Sequence, residues 1–178
     1  MPRPLSRAFF ERPALVVARE LLGCRLCRRR AGAVQRWPIT ETEAYTGPDD
    51  KACHAHRGRT PRTSVMFGPS GIWYVYFCYG MHWMLNVVTC PAGHPAAVLI
   101  RGAGDCDGPG KLTRALGING ALNGLPAVRA TGLWIEPGEP VPDAAVTAGP
   151  RIGVAYAGPD WSLRPYRFVV SPGRLAPD

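Results

Sequence analysis

Lysine is nearly missing from this chain of 178 residues: Lys51 and Lys111 stand against 19 arginines. Acidic residues are also few, 13 against 21 basic ones, which leaves a formal net charge of +8. That balance excludes an acidic, solvating polypeptide. Guanidinium groups bind phosphate through two parallel hydrogen bonds and stack on flat rings, so the excess suits a nucleic-acid partner. A GC-rich genome, which favours Arg, Ala, Gly and Pro together, would give the same excess. Long apolar runs are lacking too. The longest, Ile72–Cys78, falls far short of the roughly 20 residues that a bilayer span needs. The opening Met1-Pro-Arg-Pro-Leu-Ser-Arg7 has no apolar segment of the kind a secretory signal carries. No membrane partner is therefore expected, and a soluble, cytoplasmic, reducing setting is. There the six cysteines (Cys24, Cys27, Cys53, Cys78, Cys90, Cys106) are free thiols rather than a disulfide framework.

What the chain does have is a hydrophobic fraction of 46%, ordinary for a folded domain, together with 21 Gly and 19 Pro that predict many turns. Pro13–Leu22 reads as a helix, with Ala14, Leu15, Val17, Ala18, Leu21 and Leu22 on its apolar face and Gly23 at its end. A strand pair, Cys24–Arg29 and Ile39–Tyr45, follows across Ala31-Gly32-Ala33. Gly47–Arg62 is a polar, basic surface loop. Ile72–Tyr79 and Met81–Val88 form a hairpin with its tip near Tyr79–His82. Further elements are a strand at Ala97–Arg101, a short helix at Pro109–Leu116, and short strands around Leu133–Ile135, Arg151–Tyr156 and Tyr166–Val170. Neither an internal repeat nor a separating linker is visible. The expectation is one α+β domain spanning residues 1–178: a curved, mostly antiparallel sheet with flanking short helices and a protruding hairpin.

Several residues can carry chemistry. On an alternating strand, Ile39, Glu41, Glu43 and Tyr45 share one side. Two acids there are either edge-strand partners for the arginines or a carboxylate whose burial raises its pKa and suits it to base work. The hairpin crowds Trp73, Tyr74, Tyr76, Phe77, Tyr79 and Trp83 together. Tyr79, beside the turn glycine, is placed either as a wedge between base pairs or as a surface aromatic packed on a neighbour. Cys24-Arg-Leu-Cys27 could suggest zinc with Cys53 and His54. Residues three apart on a strand point to opposite faces, however, so structural thiols fit better and no metal is expected. Gly108-Pro-Gly-Lys111 lacks the spacing of a phosphate-binding loop.

The order of these features is distinctive. Glu41-Thr-Glu43-Ala-Tyr45, His54 in a basic loop, Tyr74-Val-Tyr76-Phe-Cys-Tyr79-Gly80-Met81 and Asn86 resemble the alkyladenine DNA glycosylase family. The similarity continues through Leu99-Ile-Arg101, Gly108-Pro-Gly-Lys-Leu112 and Arg151-Ile-Gly-Val154, over nearly the whole chain. The resemblance implies excision of alkylated or deaminated purines from duplex DNA without a cofactor, by a monomer. It makes Glu43 the general base that activates water. Tyr45, His54, Tyr76 and Asn86 become the base pocket, Tyr79 the side chain filling the gap left in the helix, and Arg101 a contact to the DNA phosphates. Arg57, Arg59 and Arg62 are further candidates for phosphate contact. The alternatives are a non-catalytic module for single-stranded nucleic acid, which would use the same aromatics and arginines for stacking, and a zinc protein.

Overall fold

A computed structural model describes residues 2–171, 173 and 175. After a four-residue helix α1 (Arg7–Phe10), α2 (Ala14–Glu20) buries Ala14, Val17 and Ala18. The chain leaves it through Gly23, which has a φ of 84°. A Cβ there would stand 2.1 Å from the Glu139 carbonyl oxygen, so no side chain is admitted. β1 (Arg25–Arg30) and β2 (Ala33–Tyr45) then form a hairpin. β3 (Trp73–Cys78) and β4 (His82–Thr89) form a second hairpin, followed by β5 (Ala96–Ala103) and the two-residue β6 (Cys106–Asp107). Helix α3 (Pro109–Ala115), β7 (Leu133–Glu136), β8 (Val146–Gly149), helix α4 (Pro159–Ser162) and β9 (Arg167–Val170) complete the main elements.

The strands form one curled antiparallel sheet in the order β3-β4-β5-β2-β1-β7, with β9 on β2, β8 on β9 and β6 on β5. The expected α+β class, curved sheet and flanking short helices are what is found. Its two faces divide the labour, because side chains alternate along each strand. Trp73, Val75, Leu85, Val87, Val98 and Ile100 join Val17, Ala18 and Leu21 of the α2 region in the main core. Tyr74, Tyr76, Met84, Asn86, Ala97 and Leu99 face the other way and line a cavity.

Two details depart from the sequence reading. Ile39 does not share a side with Glu41, Glu43 and Tyr45. It lies in the main core, and register shifts occur between Ile39 and Glu41 and again between Glu41 and Thr42. A bulge breaks strict alternation there, so that core and cavity sides swap parity along β2. Arg151–Tyr156 is not a strand either. Gly153 has a φ of 75° and Ala155–Ala157 coil into a 3-10 turn, while the extra strand β8 runs just before it.

Candidate active site

The cavity holds about 270 Å³ and opens beside the tip of the β3–β4 hairpin. Glu43, on β2, is fully buried in its wall. One carboxylate oxygen accepts the Ile152 backbone N–H at 2.8 Å and the other accepts the Tyr45 hydroxyl at 2.9 Å. Arg101 Nη1 stands 3.5 Å from Oε1, but that guanidinium is shared: its Nε donates to Glu41 at 2.9 Å. Glu41 also takes Arg167 at 2.8 Å. Burial pushes the Glu43 pKa above its ordinary 4.5, and the neighbouring Glu41 charge adds to the rise. Arg101, the Ile152 amide and the Tyr45 hydroxyl oppose it without cancelling it. A carboxylate with a raised pKa accepts a proton more readily than a free one.

Aromatic rings frame the remaining space. His54 sits on a short 3-10 helix (His54–Arg57), with Nδ1 hydrogen-bonded to the Tyr74 hydroxyl at 3.0 Å. Its ring meets Tyr76 edge-on at 4.7 Å. Burial, aided by the Arg62 charge, lowers the His54 pKa to about 4, so the imidazole is neutral at pH 7. Asn86 is opposite Tyr74 in the β3–β4 register and donates to the Tyr74 carbonyl at 3.1 Å. All the residues expected to form the pocket therefore line one cavity, and Arg101 lines it too. Arg101 is only 11% exposed and turns toward Glu41 and Glu43.

Tyr79 stands at the mouth, 82% exposed. Met81 N–H donates to the Cys78 carbonyl at 3.1 Å, closing a turn in which Tyr79 and Gly80 both have positive φ, 51° and 65°. That is the backbone of a type I′ turn, where Gly is at ease and a tyrosine is strained. Helix α3 braces the hairpin from behind, with Thr113 Oγ1 donating to the Trp83 carbonyl at 3.0 Å. The exposed Met81, Ile152 and Tyr156 give the surroundings of the mouth an apolar character.

Sequence reasoning missed the ion pair behind this site. Asp50 and Arg151, both fully buried, form a bidentate pair at 2.5 and 2.9 Å. Arg151 also donates to the Ala44 carbonyl at 2.9 Å and lies 4.8 Å from the Tyr45 ring centre. It thus fixes the segment whose next residue, Ile152, holds Glu43. No local signal marks Asp50, because its partner lies 101 residues away. The proposed zinc ligands do not converge. Cys24, Cys27 and Cys53 bond to the carbonyls of Glu20, Arg25 and Pro95, and all six cysteines are free. Among the described residues no group of three or more His, Cys, Asp or Glu side chains could hold a metal ion. No helix of the described residues is long and apolar enough to cross a membrane.

An acid set in an aromatic cavity beside a strained, aromatic-tipped hairpin defines a site for a flat, ring-shaped group. Comparison with known proteins identifies the family. The methylpurine-DNA glycosylase family matches residues 8–105 and 104–173. Relatives provisionally named 3-methyladenine DNA glycosylases include one from Myxococcus xanthus, 50% identical over 93% of this chain and 89% of its own. One from Methanocella arvoryzae is 46% identical over 92% and 90%, and one from Herpetosiphon aurantiacus 44% over 96% and 87%. The chain belongs to the methylpurine-DNA glycosylase family, and its class of enzyme is the DNA glycosylases, hydrolases of N-glycosyl bonds.

Proposed function

We propose that this protein is a monofunctional glycosylase of base excision repair that acts as a monomer in the cytoplasm. It flips damaged purines (3-methyladenine, 7-methylguanine, hypoxanthine, ethenoadenine) out of duplex DNA and hydrolyses their N-glycosidic bonds. The observation that carries this reading is the position of Glu43: a buried carboxylate with a raised pKa in the wall of a cavity framed by Tyr45, Tyr76 and His54.

The extruded purine stacks between Tyr45 and Tyr76. Water attacks the anomeric carbon, its proton passes to Glu43, and the electron pair of the breaking C–N bond goes to the purine. The Glu43 charge also stabilises the cation developing on the sugar. Each Glu43 oxygen accepts one short protein hydrogen bond and retains a second lone pair that the attacking water can use. A base alkylated at N3 or N7 leaves as a neutral molecule, whereas neutral hypoxanthine must be protonated on its ring to leave. No lysine lines the cavity, and Lys111 is paired with Asp107 at 2.7 Å on the surface. Among the described residues no lysine amine is placed to form an imine, and the product proposed is an abasic site in an uncut strand.

Flipping costs a few kcal/mol of stacking and pairing. Tyr79 filling the vacated space offsets part of it. Asn86 at the cavity floor disfavours the amino group of an undamaged guanine. Arg101 has Nε and Nη1 turned inward and offers its remaining N–H groups to the backbone phosphate beside the extruded nucleotide. The test is free-base release from duplexes that each carry one of the four lesions. Release by the unaltered protein with intact strands, and its loss in Glu43→Gln with lesion binding retained, is expected. Tight binding with no base released from any duplex would instead identify a non-catalytic binding module.

A further inference from the structure

The two tyrosines that frame the cavity are each backed by a guanidinium. Arg151 lies 4.8 Å from the Tyr45 ring centre and Arg62 4.8 Å from that of Tyr76. Both tyrosines line the cavity and neither arginine does, so each cation sits on its ring from outside the cavity lining. The two cations differ in one respect. Arg151 is neutralised by the bidentate Asp50. Arg62, in the exposed basic loop, has no ion pair among the described residues. Only the Tyr76 wall carries an uncompensated positive charge.

An aromatic face attracts a cation because its quadrupole is negative above and below the ring. When a guanidinium occupies one face, it draws on that potential, and a second cation on the other face also meets its repulsion through the ring. A neutral, electron-rich purine loses nothing by this and gains from the polarised ring. The Arg62 charge also adds to burial in lowering the pKa of His54, whose ring lies 4.7 Å from that of Tyr76.

We infer that Arg62 is a specificity-determining residue, whose guanidinium behind Tyr76 shifts the cavity's preference away from cationic alkylated purines and toward neutral damaged ones. The inference rests on the proposed function and names the substrate class favoured at that site. Because Arg62 is exposed and screened by solvent, the shift should be modest, about two- to five-fold.

The test compares the affinities of the unaltered protein, Arg62→Met and Arg62→Lys for two duplexes. One carries 7-methylguanine and the other hypoxanthine, each on a 2′-fluoro sugar that slows hydrolysis. In Arg62→Met the affinity ratio of the methylguanine duplex to the hypoxanthine duplex should rise about two- to five-fold. Arg62→Lys keeps the charge and should stay near the unaltered ratio. A melting curve confirms that each variant is folded. Equal weakening of both duplexes would overturn the inference, since it is what loss of a phosphate contact produces. A ratio that moves as far in Arg62→Lys as in Arg62→Met would overturn it as well. If the unaltered protein prefers neither lesion duplex over undamaged DNA, the base-cavity reading itself falls and takes the inference with it.

Discussion

Two glutamates of the same sheet, Glu43 on β2 and Glu136 at the end of β7, are both fully buried, and their surroundings treat them in opposite ways. Glu136 takes Arg129 at 2.6 Å, the Trp134 indole N–H at 2.9 Å and Arg36 at 3.0 Å. Burial pulls its pKa upward, but hydrogen bonds from Trp134, Arg36 and the Cys27 thiol, with the Arg36 charge, outweigh it, and the group ends below its ordinary 4.5. Glu43 has a single guanidinium at 3.5 Å, shared with Glu41, and its pKa ends above 4.5. The far edge of the sheet thus uses a buried charge as a staple, fully compensated. The cavity side keeps one under-compensated, which costs stability and, in the proposed mechanism, provides the base. Charge burial is common to both acids; incomplete compensation is what sets the proposed base apart.

Exchanging each acid for its neutral isostere sharpens this contrast. Glu43→Gln should lower base release by at least about 100-fold, the scale of a lost general base. It should also raise stability at neutral pH. A raised pKa means that the folded state binds the proton more tightly, so the ionised group weakens the fold as pH rises from 4.5 through the folded value. The gain from Gln should therefore fade in denaturant melts run below that range. Glu43→Gln less stable than the unaltered protein at pH 7 would remove the contrast. Activity should fall along the same limb, as pH drops and Glu43 takes up its proton.

Next in size is the ion pair behind the cavity. Asp50→Asn leaves the Arg151 guanidinium buried without its counter-charge, which costs about 3–5 kcal/mol. The damage should also reach Glu43, because Arg151 holds the segment that donates through Ile152. Base release measured per folded molecule should therefore fall along with stability. Glu136→Gln is the comparison. It removes one partner from a compensated cluster whose arginines are 29% exposed, at a cost of about 1–3 kcal/mol. Unlike Glu43→Gln it should destabilise at pH 7, and the difference should shrink in acid as the native carboxyl protonates. Base release per folded molecule should be unchanged. A matching loss of release in Glu136→Gln would mean that the two ends of the sheet are coupled.

How far the sequence foretold this architecture varied with the range of the interactions. The β3–β4 hairpin was legible from alternating aromatics and a turn glycine, and the order of its residues with Glu43, His54 and Asn86 carried the family resemblance. The local periodicity of α2 was legible in the same way. The sidedness of β2 was not, because a bulge depends on how β2 meets β5 rather than on either strand alone. Arg151–Tyr156 looked like a strand by composition, yet Arg151 is drawn inward by Asp50, and Gly153 bends the chain. Nor did Arg101 announce that it would lie between two carboxylates. Long-range charge pairing decides these points, and a single sequence does not encode it locally.

The smallest effects expected lie in the turns, where the two hairpins form a natural control. Ala31-Gly32 and Tyr79-Gly80 both place a non-glycine residue at positive φ, 46° and 51° respectively. The first turn joins β1 to β2 away from the cavity, and the second stands at its mouth. Replacing either leading residue with Gly relieves the same backbone strain, offset in part by the flexibility that glycine adds to the unfolded chain. Each variant should gain about 0.5–1 kcal/mol or less, and by similar amounts. Only Tyr79→Gly should lose the flipping signal of a fluorescent base analogue in duplex DNA. A strained tyrosine kept where glycine would be more stable is then explained by its ring, which must reach into the duplex. Equal loss of flipping in Ala31→Gly would assign the effect to sheet rigidity, and an unchanged signal in Tyr79→Gly would leave the strain without a function.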